Sequence, residues 1–297
     1  MMCITRREVK NAGVYMISAI PYRIRSAIPK PMRRVLRALS YLSVFSDLTS
    51  CFLYWKLTQR SLTKTHSVDF VEFRIRQLHG RTLRCRSRGS DTEVVYTTFA
   101  HQFHLPGAKK NLGNVSVIFD LGANIGSTMA HFAHLYPAAV IVGVELDHDN
   151  AELARFNTQD YPNCQVVEAA VWVQDGNLEY EYINSTESGY SAREVNSERL
   201  GTPVRSAKAV TMGKLCNEYA PERMIDYVKM DVEGAERRLL TENTEWAQRV
   251  RCLMVELHDY DKDACIRDLQ RLGFEAAPDD NHHSAVIGIR PNSKFQS

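Results

Sequence analysis

The stretch V-I-F-D-L-G-A-N-I-G-S, residues 117–127, decides the fold. An apolar run ends in an acid, a turn containing glycine follows, and a helical pattern continues to Leu135. Apolar runs that end in or beside an acid recur at 139–145, 165–168, 225–231 and 251–257. Continuous apolar strands that alternate with helices, such as the one predicted over 150–159, indicate a mostly parallel sheet with helices on both faces. We therefore predict an α/β fold.

Acidic residues stand at the carboxyl ends of these strands. Ligands bind just beyond that edge in parallel sheets, so we expect the acids to meet at one rim. The strand-end acids are Asp120, Glu145, Glu168, Asp231 and Glu256. Several carboxylates in one place suit a cationic or hydroxyl-rich ligand better than a phosphate. The plainer interpretation is that one or two of them only cap neighbouring helices.

The turn after the first strand indicates which ligand the rim takes. Gly122 allows a tight turn and close approach of a ligand, Gly126 allows close packing where the next helix begins, and Asn124 can cap that helix. The G-x-x-x-G spacing differs from the G-x-G-x-x-G pyrophosphate fingerprint, which nicotinamide-dependent oxidoreductases need. Glu145, at the end of the second strand, can accept the hydroxyls of a ribose. A ribose acceptor without a pyrophosphate loop indicates a nucleoside that carries no phosphate, and S-adenosylmethionine is the commonest such cofactor.

Several motifs in combination resemble the FkbM-type S-adenosylmethionine-dependent methyltransferases. They are V-I-F-D-L-G-A-N-I-G-S (117–127), V-G-V-E-L-D (142–147), V-V-E-A-A-V (166–171), Y-V-K-M-D-V-E-G-A-E (227–236) and L-M-V-E-L-H (253–258). The resemblance covers roughly residues 90–290. It implies a Rossmann-like class I methyltransferase with a seven-stranded sheet. It also implies O-methylation, with hydroxyls of sugars, glycans and natural products as acceptors.

The resemblance also implies which residues bind the cofactor. Those carried over from the first motif are Asp120, Gly122, Ala123, Asn124, Gly126 and Ser127. Asp120, Gly122, Asn124 and Gly126 among them would hold the methionine portion. Glu145 would take the ribose hydroxyls. Three residues, Leu146, Glu168 and Ala169, would border the adenine.

Candidates for proton transfer lie near the ends of the last two parallel strands. An alcohol is a poor nucleophile, so a base beside it accelerates methyl transfer. His258 has a suitable intrinsic pKa, and Glu256 on the same strand face would orient it or the substrate. Asp231 and Glu233 would flank the sulfonium pocket and the acceptor. The alternative for His258 is a structural bond to a backbone carbonyl. These acids could bind a divalent cation, but no tight ligand spacing indicates one, so we predict no metal.

Charge divides the chain into a basic leader and an acidic body. Residues 1–90 hold 18 Lys and Arg against 4 Asp and Glu, whereas residues 91–297 hold 19 against 31. We expect three regions: a basic, partly helical extension (1–66), a β-hairpin lead-in (67–110) and a methyltransferase domain (111–297). An acidic body without a nucleic-acid motif argues against nucleic-acid binding.

Local patterns give further expectations for the leader. Apolar spacing predicts one helix over 33–57, too polar to span a membrane. It would either lie on an anionic membrane surface, as a peripheral contact through residues 1–66, or dock on the body with a solvated basic edge. Alternation over 69–88 predicts a hairpin with its arginines on one side, which would face solvent or, alternatively, contact a polyanion. These arginines include Arg84, Arg86 and Arg88.

The remaining segments complete the predicted domain. Leu178 to Ile183 alternates like a short strand, and polar loops around 184–191 would cover the rim and carry acceptor specificity. Ser284 to Arg290 predicts a last strand, antiparallel beside the fifth. Seven scattered cysteines indicate a reducing, cytoplasmic location. A catalytically inactive, membrane-associated protein with the same fold is the alternative function, although the set of strand-end acids argues against it.

Overall fold

The computed structural model describes residues 39–58, 69–87, 89–106, 112–182, 190–192 and 204–291. The chain divides between Gln102 and Phe103 into two compact units, which are described separately. Much of the extension predicted over 1–66, Arg88, and most of the polar segment 184–191 lie outside the described residues. Within the described ranges, no helix is both long enough and apolar enough to cross a lipid bilayer.

The first unit contains helices around a β-hairpin. Its elements are α1 (Leu48–Thr58), β1 (Phe70–Arg74), β2 (Thr82–Arg86) and α2 (Asp91–His101). The single helix predicted over 33–57 is wrong in its described part. Residues 39–44 are helical, but Phe45 then forms an isolated bridge with a residue next to β1. The Asp47 carboxylate accepts a hydrogen bond from the backbone N–H of Ser50 at 2.8 Å, and this local bond favours the start of a new helix.

The predicted hairpin is confirmed. β1 and β2 are antiparallel, with Phe70 opposite Arg86, and the paired Phe73 and Leu83 are fully buried. The expectation that the hairpin arginines face solvent is wrong for Arg86. Its side chain is buried and donates from both Nε and Nη2 to the Asp91 carboxylate at 2.8 Å. The two charge-assisted bonds compensate the burial of the guanidinium.

The second unit alternates strands and helices. Its elements are β3 (Val117–Leu121), α3 (Ser127–Leu135), β4 (Val140–Glu145), α4 (His148–Thr158), β5 (Cys164–Glu168), β6 (Ala170–Trp172), β7 (Gly176–Tyr182), β8 (Tyr190–Ala192), β9 (Val204–Thr211), α5 (Met212–Tyr219), β10 (Ile225–Met230), α6 (Glu236–Thr241), β11 (Val250–Glu256), α7 (Lys262–Arg271), β12 (Glu275–Pro278) and β13 (Ala285–Ile289).

The predicted α/β, Rossmann-like fold with a mostly parallel seven-stranded sheet is confirmed. The strand order is β12-β13-β11-β10-β3-β4-β5, and the five strands from β11 to β5 are parallel. β13 pairs antiparallel with β11, as predicted for 284–290. Every residue of β3 and of β10 is buried, which explains why their sequences do not alternate between apolar and exposed polar residues.

A second sheet, with the order β6-β9-β7-β8, was not predicted. The sequence indicates only one short strand in this region, which corresponds to β7. β9 is difficult to recognise because two of its buried residues are the small Ala207 and Ala209, which alternate with the exposed Ser206 and Lys208. The pattern therefore has little apolar signal, although pairing with β7 is regular from Gly176 onward.

The glycine turn joins β3 to α3. A Cβ at Gly126 would lie 2.8 Å from the Cα of Ala154 in α4, so the predicted close packing at the start of the helix is confirmed. The predicted capping role of Asn124 is wrong. α3 has Gly126 at its N-cap, and the Asn124 side chain accepts instead from the adjacent backbone N–H of Ile125 at 2.7 Å.

Candidate active site

A pocket opens beyond the carboxyl ends of β3, β4 and β10, at the edge where the sequence predicts a ligand. Its polar lining comes from Asn124, Glu145, Asp231 and Glu233, and its apolar lining includes Leu146, Ala169, Ala170, Val171 and Val232. The lining thus combines carboxylates with apolar side chains. This combination suits a ligand that has a polar or cationic end and an apolar ring.

The turn at Gly122 is fixed by the strands on both sides. Gly122 has a φ of +80°, and a Cβ there would lie 1.8 Å from the backbone carbonyl oxygen of Asp231. The N–H groups of Gly122 and Ala123 both donate to the carbonyl of Val144, at 2.9 and 3.0 Å. Only glycine fits this position, so the backbone of the turn is held in place at the pocket wall.

Glu145 supplies a buried carboxylate at the end of β4. Its Oε2 accepts from the backbone N–H of Asn124 at 2.8 Å, and its Oε1 accepts from that of Asp147 at 2.9 Å. Burial raises the pKa of Glu145 to about 7, against the lowering effect of these two bonds. Each carboxylate oxygen has a second lone pair, so Glu145 can also accept hydroxyl groups of a ligand.

Lys229 links two of the strand-end acids from inside the sheet, a role that sequence reasoning missed. Its Nζ lies 3.0 Å from Asp231 and 3.4 Å from Asp120, and it donates to the carbonyl of Gly122 at 3.3 Å. Burial alone would lower the pKa of Lys229, but the charges of Asp231 and Asp120 outweigh it and raise the pKa. The sequence does contain a signal for this contact: a lysine inside an otherwise largely apolar strand indicates a buried ammonium group, which requires anionic partners.

Asp120 lies behind the pocket rather than on its surface. It is fully buried and accepts a short hydrogen bond from the hydroxyl of Thr128. Burial raises its pKa although Lys229 lowers it. Asp120 therefore supports Lys229 and the start of α3.

His258 is oriented by Glu236, a second residue that sequence reasoning missed. The Nδ1 of His258 lies 2.9 Å from the Oε1 of Glu236. The Glu236 side chain is fully buried, and its Oε2 accepts from the N–H of Gly234 at 2.9 Å. We expected Glu256 to orient His258 or the substrate, but the side chain that contacts Nδ1 of His258 is Glu236. Glu236 belongs to the quoted motif D-V-E-G-A-E, but its distance along the chain from His258 gives no indication of the contact.

The Nε2 of His258 points at two carboxylates of the pocket lining. It lies 3.7 Å from Asp231 and 3.6 Å from Glu233. Burial alone would lower the pKa of His258, but the bond to Glu236 and the charges of Asp231 and Glu233 raise it to about 9. Burial raises the pKa of Glu233 to about 7. Proton-accepting groups thus converge beside the pocket, which suits proton transfer.

Glu256 completes this acidic group. Burial, then the charge of Asp231, raises the pKa of Glu256 to about 7, and the Nε2 of His282 lies 3.7 Å from its carboxylate. Asp231, Glu256 and His258 each offer one potential ligand atom within 4.8 Å of the others, so these side chains could hold a metal ion. The sequence spacing did not indicate this grouping, because the three residues come from two strand ends.

Comparison with known protein families identifies the family of this chain. The family model of the methyltransferase FkbM domain matches residues 120–276, more than half of the chain. The chain belongs to the FkbM methyltransferase family. The resemblance noted in the sequence is confirmed, and S-adenosylmethionine is the cofactor of this FkbM protein. A search of curated proteins gives no match.

Solved methyltransferase structures are similar to this FkbM chain at low identity. Precorrin-6Y C5,15-methyltransferase from Geobacter metallireducens is 14% identical, with 59% of this chain and 79% of that chain covered and a TM-score of 0.35. The N-terminal domain of EvdMO1 with SAH bound is 14% identical, with 60% and 76% covered and a TM-score of 0.36. Fibrillarin from Aeropyrum pernix with bound S-adenosylmethionine is 13% identical, with 60% and 67% covered and a TM-score of 0.36.

The pocket of the FkbM protein includes half of the residues that the resemblance assigns to the cofactor. Those on its surface are Gly122, Asn124, Glu145, Leu146 and Ala169. Those buried without lining it are Asp120, Ala123, Gly126 and Ser127. Glu168 lies outside the lining and pairs with His148 at 2.8 Å and Arg155 at 3.1 Å. Of the proposed catalytic residues, Asp231 and Glu233 line the pocket, and Glu256 and His258 lie next to them.

Proposed function

We propose that this FkbM protein transfers the methyl group of S-adenosylmethionine to a hydroxyl oxygen of a sugar, glycan or natural-product acceptor. The observation that carries the proposal is the position of His258. Its Nε2 lies 3.6 Å from the pocket-lining Glu233, while its Nδ1 is held by the buried Glu236. Hydroxyl acceptors need such a base because an alcohol is a weak nucleophile.

The residues present fit the cofactor. Glu145 would accept the ribose hydroxyls, Leu146 and Ala169 would contact the adenine, and the turn containing Gly122 and Asn124 would contact the methionine portion; all five residues line the pocket. When bound, the cofactor supplies a methyl group activated by an adjacent sulfonium. The negative charges of the Asp231 and Glu233 carboxylates would stabilise that positive charge.

Proton transfer is assigned to His258. In its neutral form the imidazole donates its Nδ1–H to Glu236, so the Nε2 lone pair is available. The acceptor hydroxyl binds between Nε2 and Glu233. His258 would accept the proton of that hydroxyl at Nε2 and become imidazolium, which the Glu236 carboxylate stabilises. The cofactor, when bound, would supply the methyl group that the acceptor oxygen takes, and S-adenosylhomocysteine would be the leaving group. A positioned base of this kind contributes about 10²–10⁴-fold.

The raised pKa of His258 has a consequence for this role. With a pKa raised to about 9, most of the free protein carries the imidazolium at pH 7. A cation in the pocket disfavours the imidazolium and so lowers the pKa toward the working range. Turnover is therefore expected to increase with pH until His258 has lost its proton.

We also propose a cytoplasmic location and a small-molecule or glycan partner rather than a nucleic acid. The described cysteines Cys51, Cys85, Cys164, Cys216 and Cys265 are free thiols, which supports a reducing compartment. The acidic lining of the pocket disfavours a polyphosphate backbone.

Transfer of a labelled methyl group tests the proposal. Full-length protein is incubated with methyl-labelled S-adenosylmethionine and a panel of hexoses, deoxysugars, oligosaccharides and polyketide alcohols, and labelled products are analysed by mass spectrometry. We expect an O-methyl ether with at least one acceptor, and at least 100-fold slower formation by His258→Gln. Methylation found only on nitrogen or carbon would contradict the proposal, as would full activity of the variant.

A further inference from the structure

Helix α1 has apolar side chains on two faces, of which the first unit buries only one. Ser50, Cys51 and Tyr54 are buried. Leu48, Phe52 and Trp55 are 74%, 60% and 47% exposed. These three residues are spaced i, i+4 and i+7 and therefore share one side of the helix. We refer to them as the α1 apolar face.

The α1 apolar face is continuous rather than scattered. The rings of Phe52 and Trp55 lie 5.7 Å apart between centroids, and Leu48 precedes Phe52 by one helical turn. Single exposed apolar residues are common on protein surfaces, but a contiguous group of large ones marks an interaction site. A leucine, a phenylalanine and a tryptophan together are typical of helices that lie in a membrane interface.

Positive charge surrounds this face in the sequence. Residues 1–68, which include α1, hold 12 Lys and Arg against the two acids Glu8 and Asp47. Asp47 is already engaged by the backbone N–H and hydroxyl of Ser50, at 2.8 and 3.0 Å. Lys56 lies in the last turn of α1 and is exposed. The partner of this region is therefore expected to be strongly anionic.

We propose that the α1 apolar face inserts into the interface of an anionic lipid bilayer, to which the net positive charge of residues 1–68 attracts the chain. An 11-residue helix is about 16 Å long, so it lies on a bilayer rather than spanning the roughly 30 Å hydrocarbon core. A second copy of the chain would bring the same positive charge to the contact, which disfavours self-association through this face. A nucleic acid would match the charge but would not cover Leu48.

Tryptophan fluorescence tests the proposal directly. The chain has three tryptophans, and Trp172 and Trp246 are only 6% and 4% exposed, so Trp55 reports on the surface. Full-length protein is titrated with vesicles of phosphatidylcholine alone and with 30% phosphatidylglycerol. We expect a blue shift and quenching by brominated lipid with the anionic vesicles only, weakened by 0.5 M NaCl.

Two variants distinguish vesicle binding through the α1 apolar face from binding through charge attraction alone. Leu48→Ser/Phe52→Ser leaves the buried side of α1 and Trp55 intact, and we expect at least tenfold weaker vesicle binding. Leu135→Ser is the matched control, because Leu135 is 43% exposed on the second unit, and it should bind like wild type. Unchanged far-ultraviolet circular dichroism and an unchanged near-ultraviolet spectrum verify that both variants are folded.

Three outcomes would overturn the proposal. The first is absence of binding to anionic vesicles, and the second is equal binding by Leu48→Ser/Phe52→Ser and wild type. The third is that the protein self-associates or binds an oligonucleotide in sedimentation experiments without vesicles, and that Leu48→Ser/Phe52→Ser abolishes this association but not vesicle binding. None of these outcomes depends on which acceptor the second unit methylates.

Discussion

The carboxylate of Glu236 fixes the imidazole of His258 in one orientation. Its Oε1 lies 2.9 Å from Nδ1, and its Oε2 is held at 2.9 Å by the backbone N–H of Gly234. The carboxylate cannot rotate without losing one of these bonds. The imidazole therefore presents Nε2 to Asp231 and Glu233, as expected of a base that a buried carboxylate aligns and stabilises after protonation.

Replacement of this carboxylate tests the alignment. In Glu236→Gln the neutral amide removes the charge that favours imidazolium, so the pKa of His258 falls from about 9. The neutral imidazole is the active form, and kcat/KM of wild type therefore increases with pH up to that pKa. We expect the variant to lose about 10–100-fold in kcat and to reach its plateau at lower pH. Rate profiles and NMR titration of the His258 ring measure both effects.

The matched control for this change is Glu242→Gln. Glu242 follows the same helix, but it is exposed and pairs with Arg238 at 2.8 Å. Its replacement should leave kcat and the pH profile unchanged. An unaltered titration of His258 in Glu236→Gln would show that Glu236 has no positioning role.

Glycine at position 122 is predicted to be irreplaceable. In Gly122→Ala the Cβ would lie 1.8 Å from the Asp231 carbonyl oxygen, and the φ of +80° strains any L residue. We expect unfolding free energy to fall by about 1–3 kcal/mol from the backbone conformation alone, with loss of cofactor binding. Gly213→Ala is the control, because nothing lies within 4 Å of its Cβ position, and it should be neutral or stabilising. Urea unfolding and calorimetry measure the two quantities, and similar behaviour of both variants would contradict the prediction.

Lys229 is predicted to stabilise the sheet edge through its charge. Lys229→Met leaves Asp120 fully buried without its cation, so we expect a loss of about 3–5 kcal/mol in urea unfolding at pH 7. The added change Asp120→Asn removes the uncompensated charge and should restore part of the loss. Equal stability of Lys229→Met and wild type would show that the ion pair contributes nothing.

Chelation distinguishes a base from a metal ligand at His258. Asp231, Glu256 and His258 could hold a metal ion, whereas our proposal uses His258 as a proton acceptor. We expect methyl transfer to continue at the same rate after dialysis against EDTA. If activity disappears and Mg²⁺ or Mn²⁺ restores it, the three residues are a metal site and the assignment of the base is wrong.

The sequence predicts the central strands of the sheet well because β3, β4 and β10 are buried on both faces and are largely apolar. It cannot predict that Lys229 lies beside Asp120, because this contact depends on the register between β10 and β3. The bond between Glu236 and His258 likewise joins residues that only the fold brings together. Conversely, Glu168 resembles the other strand-end acids in sequence, but its side chain pairs on the surface with Arg155.

Calorimetric titration of the full-length chain with S-adenosylmethionine, and separately with NADH, tests the central claim most directly. We predict binding of S-adenosylmethionine alone, weakened about 10–100-fold by Glu145→Ala because hydrogen bonds to a charged acceptor are lost. Glu168→Ala, outside the pocket lining, should bind like wild type. Absence of S-adenosylmethionine binding in folded wild-type protein would contradict the account and favour a catalytically inactive protein that retains the fold.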